Sequence, residues 1–120
     1  MKICTIQELL DARVVTGEDR LGDHVYSACG SDMMSDVLAY VKDQAVLLTG
    51  LVNAQVIRTA EMMDMRCIVF VRAKEPTSDM VRLAQECGLV VLATDKRMYE
   101  ACGILYSNGL ISNKTKRVQS

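Results

Sequence analysis

Three short apolar runs, evenly spaced, limit what this chain can fold into. They are Ala45-Val-Leu-Leu-Thr49, Cys67-Ile-Val-Phe-Val71 and Leu89-Val-Val-Leu-Ala93, and each starts 22 residues after the one before. The runs are continuous rather than alternating, the mark of strands buried on both faces. Amphipathic segments of helical spacing lie between and after them. Met80, Leu83, Ala84 and Cys87 fall at i, i+3, i+4 and i+7, as do Met98, Ala101, Cys102 and Leu105. Parallel strands need a crossover, and a helix of this length supplies one. The expected fold is α/β: a three-layer α/β/α sandwich with a mostly parallel sheet built from βα units. The helical stripes do not keep phase with the strand repeat, so the period reflects βα geometry and not duplication.

The first third reads less regularly. Thr5 followed by Glu8 is a capping-box pattern that predicts a helix over 5–12. Arg13-Val-Val-Thr16 reads as a strand, Gly17 to Asp23 as a polar loop, and His24 to Cys29 as a second strand ended by Gly30. Ser31 or Asp32 is expected to cap a helix over 32–43, with Met34, Leu38 and Val41 as its apolar stripe. Gly88 and Asn108-Gly109 suit helix C-caps. With 120 residues, a single domain over 1–111 is expected, followed by a polar, basic and flexible tail over 112–120.

Composition closes off several functions. Half the residues are apolar, 24% are charged and the net charge is -1, so nothing points to nucleic acid or an acidic membrane. A base-stacking platform is not expected with no Trp, one Phe and four Tyr. A membrane span needs about 20 apolar residues and none is present, while the N-terminus lacks a signal-peptide apolar region. The expected compartment is cytoplasmic. The charge is uneven: residues 1–44 carry four Lys/Arg against eight Asp/Glu, and residues 45–120 carry ten against seven. Five cysteines without a Cys-x-x-Cys pair, and one His, do not form a zinc or iron–sulfur pattern. They read as small buried hydrophobes of a reducing compartment, and neither a metal nor a cofactor is expected.

No catalytic constellation emerges. Gly17 and Gly22 have the spacing of a phosphate-binding loop, but Asp23 stands where the Lys belongs and Glu18 and Asp19 lie within the loop. Neither a dinucleotide fingerprint nor a nucleophile elbow is present. Asp32 and Asp36 lie four apart, a spacing open to metal or acid–base work but equally to a helix-dipole partner and a solvated residue. Met33, Met34, Ser35, Asp32 and Asp36 are therefore interface or structural candidates. Met62, Met63 and Met65 read first as core filler and second as an adaptable contact surface.

In an open parallel sheet, small ligands collect beyond the carboxyl ends of the strands, where strand order reverses. The residues there are Thr49, Gly50 and Asn53, then Arg72 and Lys74, then Thr94, Asp95 and Lys96. Gly50 allows close approach, the hydroxyls and amide offer hydrogen bonds, and the basic residues suit an anion. The plainer alternative is that Thr94 or Asp95 caps the following helix and the basic residues are solvated.

Ser31-Asp32-Met33-Met34-Ser35-Asp36-Val37-Leu38, Ala45-Val-Leu-Leu-Thr-Gly50 and Asn53-Ala-Gln-Val-Ile-Arg-Thr-Ala60 together resemble the DRTGG-domain family. That domain is similar to the N-terminal domain of HPr kinase/phosphorylase. Pro76 and Thr94 match the family's Pro-led helix and its later strand ending in Thr. The resemblance covers about residues 5–110. The naming residues are absent: Asn53-Ala54 and Arg72-Ala73-Lys74 occupy the places of the Asp-Arg and the Thr-Gly-Gly.

The resemblance implies a three-layer α/β domain, often dimeric, that accompanies other modules as a regulatory element. Related domains sit beside adenine-nucleotide-binding CBS domains. The catalytic loop of HPr kinase lies in another domain, so a kinase activity does not transfer. The expectation is a non-enzymatic regulatory or sensing domain, a homodimer, with an adenine nucleotide or phosphorylated metabolite as its anionic ligand. The alternatives are an interaction module docking on a partner enzyme or signalling protein, and an enzyme using Asp32 and Asp36 with a metal.

Overall fold

A computed structural model describes residues 1–40 and 44–111. The three apolar runs form β3 (Ala45–Thr49), β4 (Cys67–Phe70) and β5 (Val90–Ala93), and every residue in them is buried. Before them come α1 (Ile3–Leu10), β1 (Arg13–Thr16), β2 (Ser27–Gly30) and α2 (Met34–Tyr40). The remaining helices are α3 (Ala54–Met62), α4 (Ser78–Cys87) and α5 (Met98–Ser107).

The sheet order is β1-β5-β4-β3-β2. β2 to β5 are parallel neighbours taken in sequence, and β1 adds antiparallel to β5. Each βαβ step moves the same way across the sheet. Right-handed crossovers therefore put all their helices on one face. The core follows this rule. Val37 of α2, Val56 and Ile57 of α3 and Met80 of α4 pack with Leu47, Ile68, Phe70 and Val91 on one side. Ile3, Ile6 and Leu10 of α1 and Ala101 and Leu105 of α5 pack with Val46, Leu48, Val69 and Leu92 on the other. Alternate side chains of each strand feed opposite cores, which is why the runs had to be apolar throughout. The expected three-layer α/β/α sandwich is the fold.

The N-terminal third departs from expectation in detail. α1 starts at Ile3 with Lys2 as N-cap and no side-chain cap, so the capping box at Thr5 and Glu8 does not form. The first helical amides find tertiary partners instead: Ile3 N–H donates to Asp23 O and Cys4 N–H to Leu21 O, both at 2.9 Å. β2 begins at Ser27, not His24, which makes only an isolated bridge to Lys2. In α2 the inward residues are Met34 and Val37, while Leu38 is 41% exposed. Val41 and the tail at 112–120 lie outside the described residues. Gly88 ends α4 with a left-handed φ of 73°, as its position after the helix predicted.

Candidate functional site

At the carboxyl edge of the parallel sheet the strand-end candidates form two groups, which Asn53 and Lys74 do not join. The first is built on β3. The Thr49 hydroxyl donates to Asp32 Oδ1 at 2.9 Å, and the Gly50 amide donates to the same oxygen at 2.7 Å. Thr49 Oγ1 in turn accepts the Leu51 amide at 3.1 Å. Asp32 Oδ2 lies 3.8 Å from the Arg72 guanidinium. Arg72 reaches this position because Gly50 has no side chain: a Cβ there would stand 2.8 Å from Arg72 Nε and 2.9 Å from its Cζ. One backbone amide and one hydroxyl, with one guanidinium beside them, suit a carboxylate or phosphate group.

The turn after β4 aims Arg72. Val71 N–H donates to Thr49 O at 3.0 Å, Arg72 N–H to Lys96 O at 2.8 Å, and Ala73 N–H to Thr94 O at 3.0 Å. Arg72 and Ala73 are both left-handed, with φ of 61° and 58°. Glycine takes that conformation without strain, and these residues stand in the place that the resemblance gives to Thr-Gly-Gly.

The second group surrounds the end of β5. Thr94 and Asp95 line a cleft of about 240 Å³ with Asp11, Arg13, Ala73, Glu75 and Ala93. Arg13 pairs with Glu75, so the cleft is rich in carboxylates and does not favour an anion. The Thr94 hydroxyl donates to Leu10 O at 2.7 Å and accepts the Lys96 amide at 3.3 Å. Neither Thr94 nor Asp95 caps α5, whose N-cap is Arg97.

The structure thus joins Asp32 to Thr49, Gly50 and Arg72 and leaves Thr94 and Asp95 apart. Asn53 is the exposed N-cap of α3, without a side-chain cap bond, and Lys74 is exposed. Ser31 Oγ accepts the Met33 amide at 2.9 Å just ahead of α2, and Asp32, expected as a cap, is turned to β3. Met33, Ser35 and Asp36 are exposed, whereas Met34 is buried. Met33 precedes α2 and Met62 closes α3. These crossover helices run parallel, so the two exposed methionines lie at opposite ends of the layer.

Strand order does not reverse within the parallel run β2 to β5, contrary to expectation. The chain departs to opposite faces only after β4 and β5, and the Arg72–Lys96 and Ala73–Thr94 backbone bonds close that gap. Sequence reasoning missed the carboxylate partner of the β3 donors. Its signal was the position of Asp32 just after β2, at the same end of the adjacent parallel strand.

The architecture is that of a small α/β domain whose β3 and β4 strand ends meet at Asp32. Residues 5–107 match the DRTGG domain, and the chain belongs to that family. Among solved structures it is similar to the CBS and DRTGG domains of the regulatory region of Clostridium perfringens pyrophosphatase, complexed with the activator diadenosine tetraphosphate. The TM-score is 0.73 at 14% identity, covering 98% of this chain and 52% of that one. This chain therefore spans about half the length of that region. No curated protein matches it in sequence. Among the described residues no helix is long and apolar enough to cross a membrane.

Proposed function

We propose that this chain is a non-enzymatic regulatory domain that senses a small anionic ligand, such as an adenine nucleotide, at the ends of β3 and β4. The observation that carries this reading is the convergence of the Thr49 hydroxyl, the Gly50 amide and the Arg72 guanidinium on one pair of carboxylate oxygens. The same donors would hold a terminal phosphate, with exposed Lys74 adding positive charge. The pyrophosphatase regulatory region, which contains a DRTGG domain and is complexed with diadenosine tetraphosphate, supports the ligand class. Thermal unfolding with AMP, ADP, ATP and diadenosine tetraphosphate tests it. A ligand at a hundredfold excess over its Kd adds about 2.7 kcal/mol of stability. Failure of every nucleotide to raise the Tm at millimolar concentration would overturn the reading.

A second reading, a homodimer or a module docked on a partner enzyme or signalling protein, is favoured by the β2 edge. An apolar cleft of about 160 Å³ lies there, lined by Ala28, Leu48, Leu105, Tyr106, Leu110 and Ile111. Tyr106 and Ile111 at its rim are 64% and 47% exposed. Light scattering checks self-association, and a dimer that Tyr106→Glu converts to monomer would support this surface.

A further inference from the structure

We infer that Asp32 is a built-in occupant of the anion site, so that an incoming phosphate displaces its carboxylate and frees the entry to α2. This rests on the anion-sensing reading above and adds a mechanism of response. Asp32 Oδ1 already takes the two donors at the end of β3, the Thr49 hydroxyl and the Gly50 amide, at 2.9 and 2.7 Å. An external anion reaches those donors only by replacing that oxygen. The occupant is replaceable. Its Oδ2 stands 3.8 Å from Arg72, and the two side chains remain 50% and 46% exposed, so solvent weakens their attraction. A phosphate group brings more charge and more acceptor oxygens to the same donors.

The consequence for the fold is local. Ser31 N–H is fixed to Leu48 O at 3.0 Å, which anchors the end of β2. Asp32 is the next residue and α2 begins at Met34. Among the described residues of α2, only Met34 and Val37 are buried, so the helix holds to the core by few side chains. Releasing Asp32 removes both hydrogen bonds that tie the approach to this helix to Thr49 and Gly50. The segment that responds to ligand is therefore Asp32 and the first turn of α2, with Met33 exposed on it.

Calorimetry with inorganic pyrophosphate and with ATP, on the full chain and on Asp32→Ala, Asp32→Asn and Arg72→Ala, tests the inference. Asp32→Ala is expected to bind about tenfold more tightly than the parent, and Arg72→Ala to lose binding. Binding by Asp32→Ala where the parent shows none would overturn the displacement, because the carboxylate would then hold the donors against an external anion. Parent binding that depends on Arg72, with Asp32→Ala equal or weaker, would overturn the displacement and leave anion sensing intact. Absence of binding to the parent and to both Asp32 variants would overturn the two together. Amide NMR of the parent guards against a variant that fails to fold. Saturating pyrophosphate should shift the Gly50 amide and the amides of Met33 to Asp36. A shift at Gly50 with α2 unmoved would overturn the coupling.

Discussion

The hydroxyl of Thr94, at the end of β5, donates a 2.7 Å hydrogen bond to the carbonyl oxygen of Leu10, 84 residues earlier. Leu10 is the last residue of α1, and its carbonyl has no partner within the helix. Thr94 therefore closes the end of α1 onto the edge of the sheet.

Thr94→Val keeps the shape and removes the donor in a site only 4% exposed. The expected loss is about 1–3 kcal/mol, with Leu10 O left unsatisfied and the Lys96 amide deprived of its acceptor. Urea unfolding measures it, with an unchanged denaturant slope showing that compactness is kept. A midpoint equal to the parent's would mean that water replaces the hydroxyl.

How far the fold can be read from sequence depends on which forces are local. β3, β4 and β5 are legible because strands between two helical layers must be apolar at every position, and among the described strands only these three are buried throughout. Gly88 is legible because a left-handed C-cap is a demand of the backbone itself. The start of α1 is not legible, since carbonyls of the Leu21–Asp23 loop satisfy its first amides and make a capping side chain redundant. Asp32 is misjudged for the same reason. A helix-capping residue and a carboxylate reaching a strand 17 residues away look alike until the chain has folded.

Two consecutive left-handed residues without glycine place strain in the turn after β4. Ala73, at φ 58°, costs about 1–2 kcal/mol relative to a residue without Cβ, less the extra chain entropy that glycine must lose. Ala73→Gly is expected to stabilise by about 0.5 kcal/mol and Ala73→Val to destabilise by about 1–2 kcal/mol. Chemical denaturation of the pair reads the order Gly above Ala above Val. The reverse order would rule out left-handed strain in this turn.

Gly17 couples conformation to packing where β1 leaves the sheet. Its φ is 93°, and a Cβ there would lie 2.8 Å from Val90 Cα and 2.9 Å from Val90 Cγ2. Because the nearer obstacle is backbone in β5, no side-chain rotation relieves it. Gly17→Ala should cost about 2–4 kcal/mol, combining left-handed strain with overpacking. The control is Gly22→Ala, whose Cβ meets nothing within 4 Å. Equal melting temperatures for the two variants would refute the close approach.

Buried thiols make the stability of this domain fall at alkaline pH. Burial pushes the thiols of Cys67, Cys29 and Cys102 above their ordinary range, and the neighbouring Cys102 and Asp36 add to the rise at Cys29. Unfolded thiols ionise near about pH 8.5, whereas buried Cys67 keeps its proton there and half-buried Cys29 and Cys102 lose theirs later than in the unfolded chain. Above that pH the unfolded chain holds fewer protons than the folded one, so unfolding becomes easier as pH rises. Their stabilisation is complete below about pH 8.5 and is lost upward from there, by about 1.4 kcal/mol per pH unit for a thiol that stays fully protonated. Cys67 is wholly buried and contributes most to the slope. Urea unfolding under reducing conditions, between about pH 7 and about pH 9.5, should show this decline, and Cys67→Ala should flatten it while lowering stability at neutral pH. A pH dependence identical in the variant and the parent would sink the assignment to Cys67.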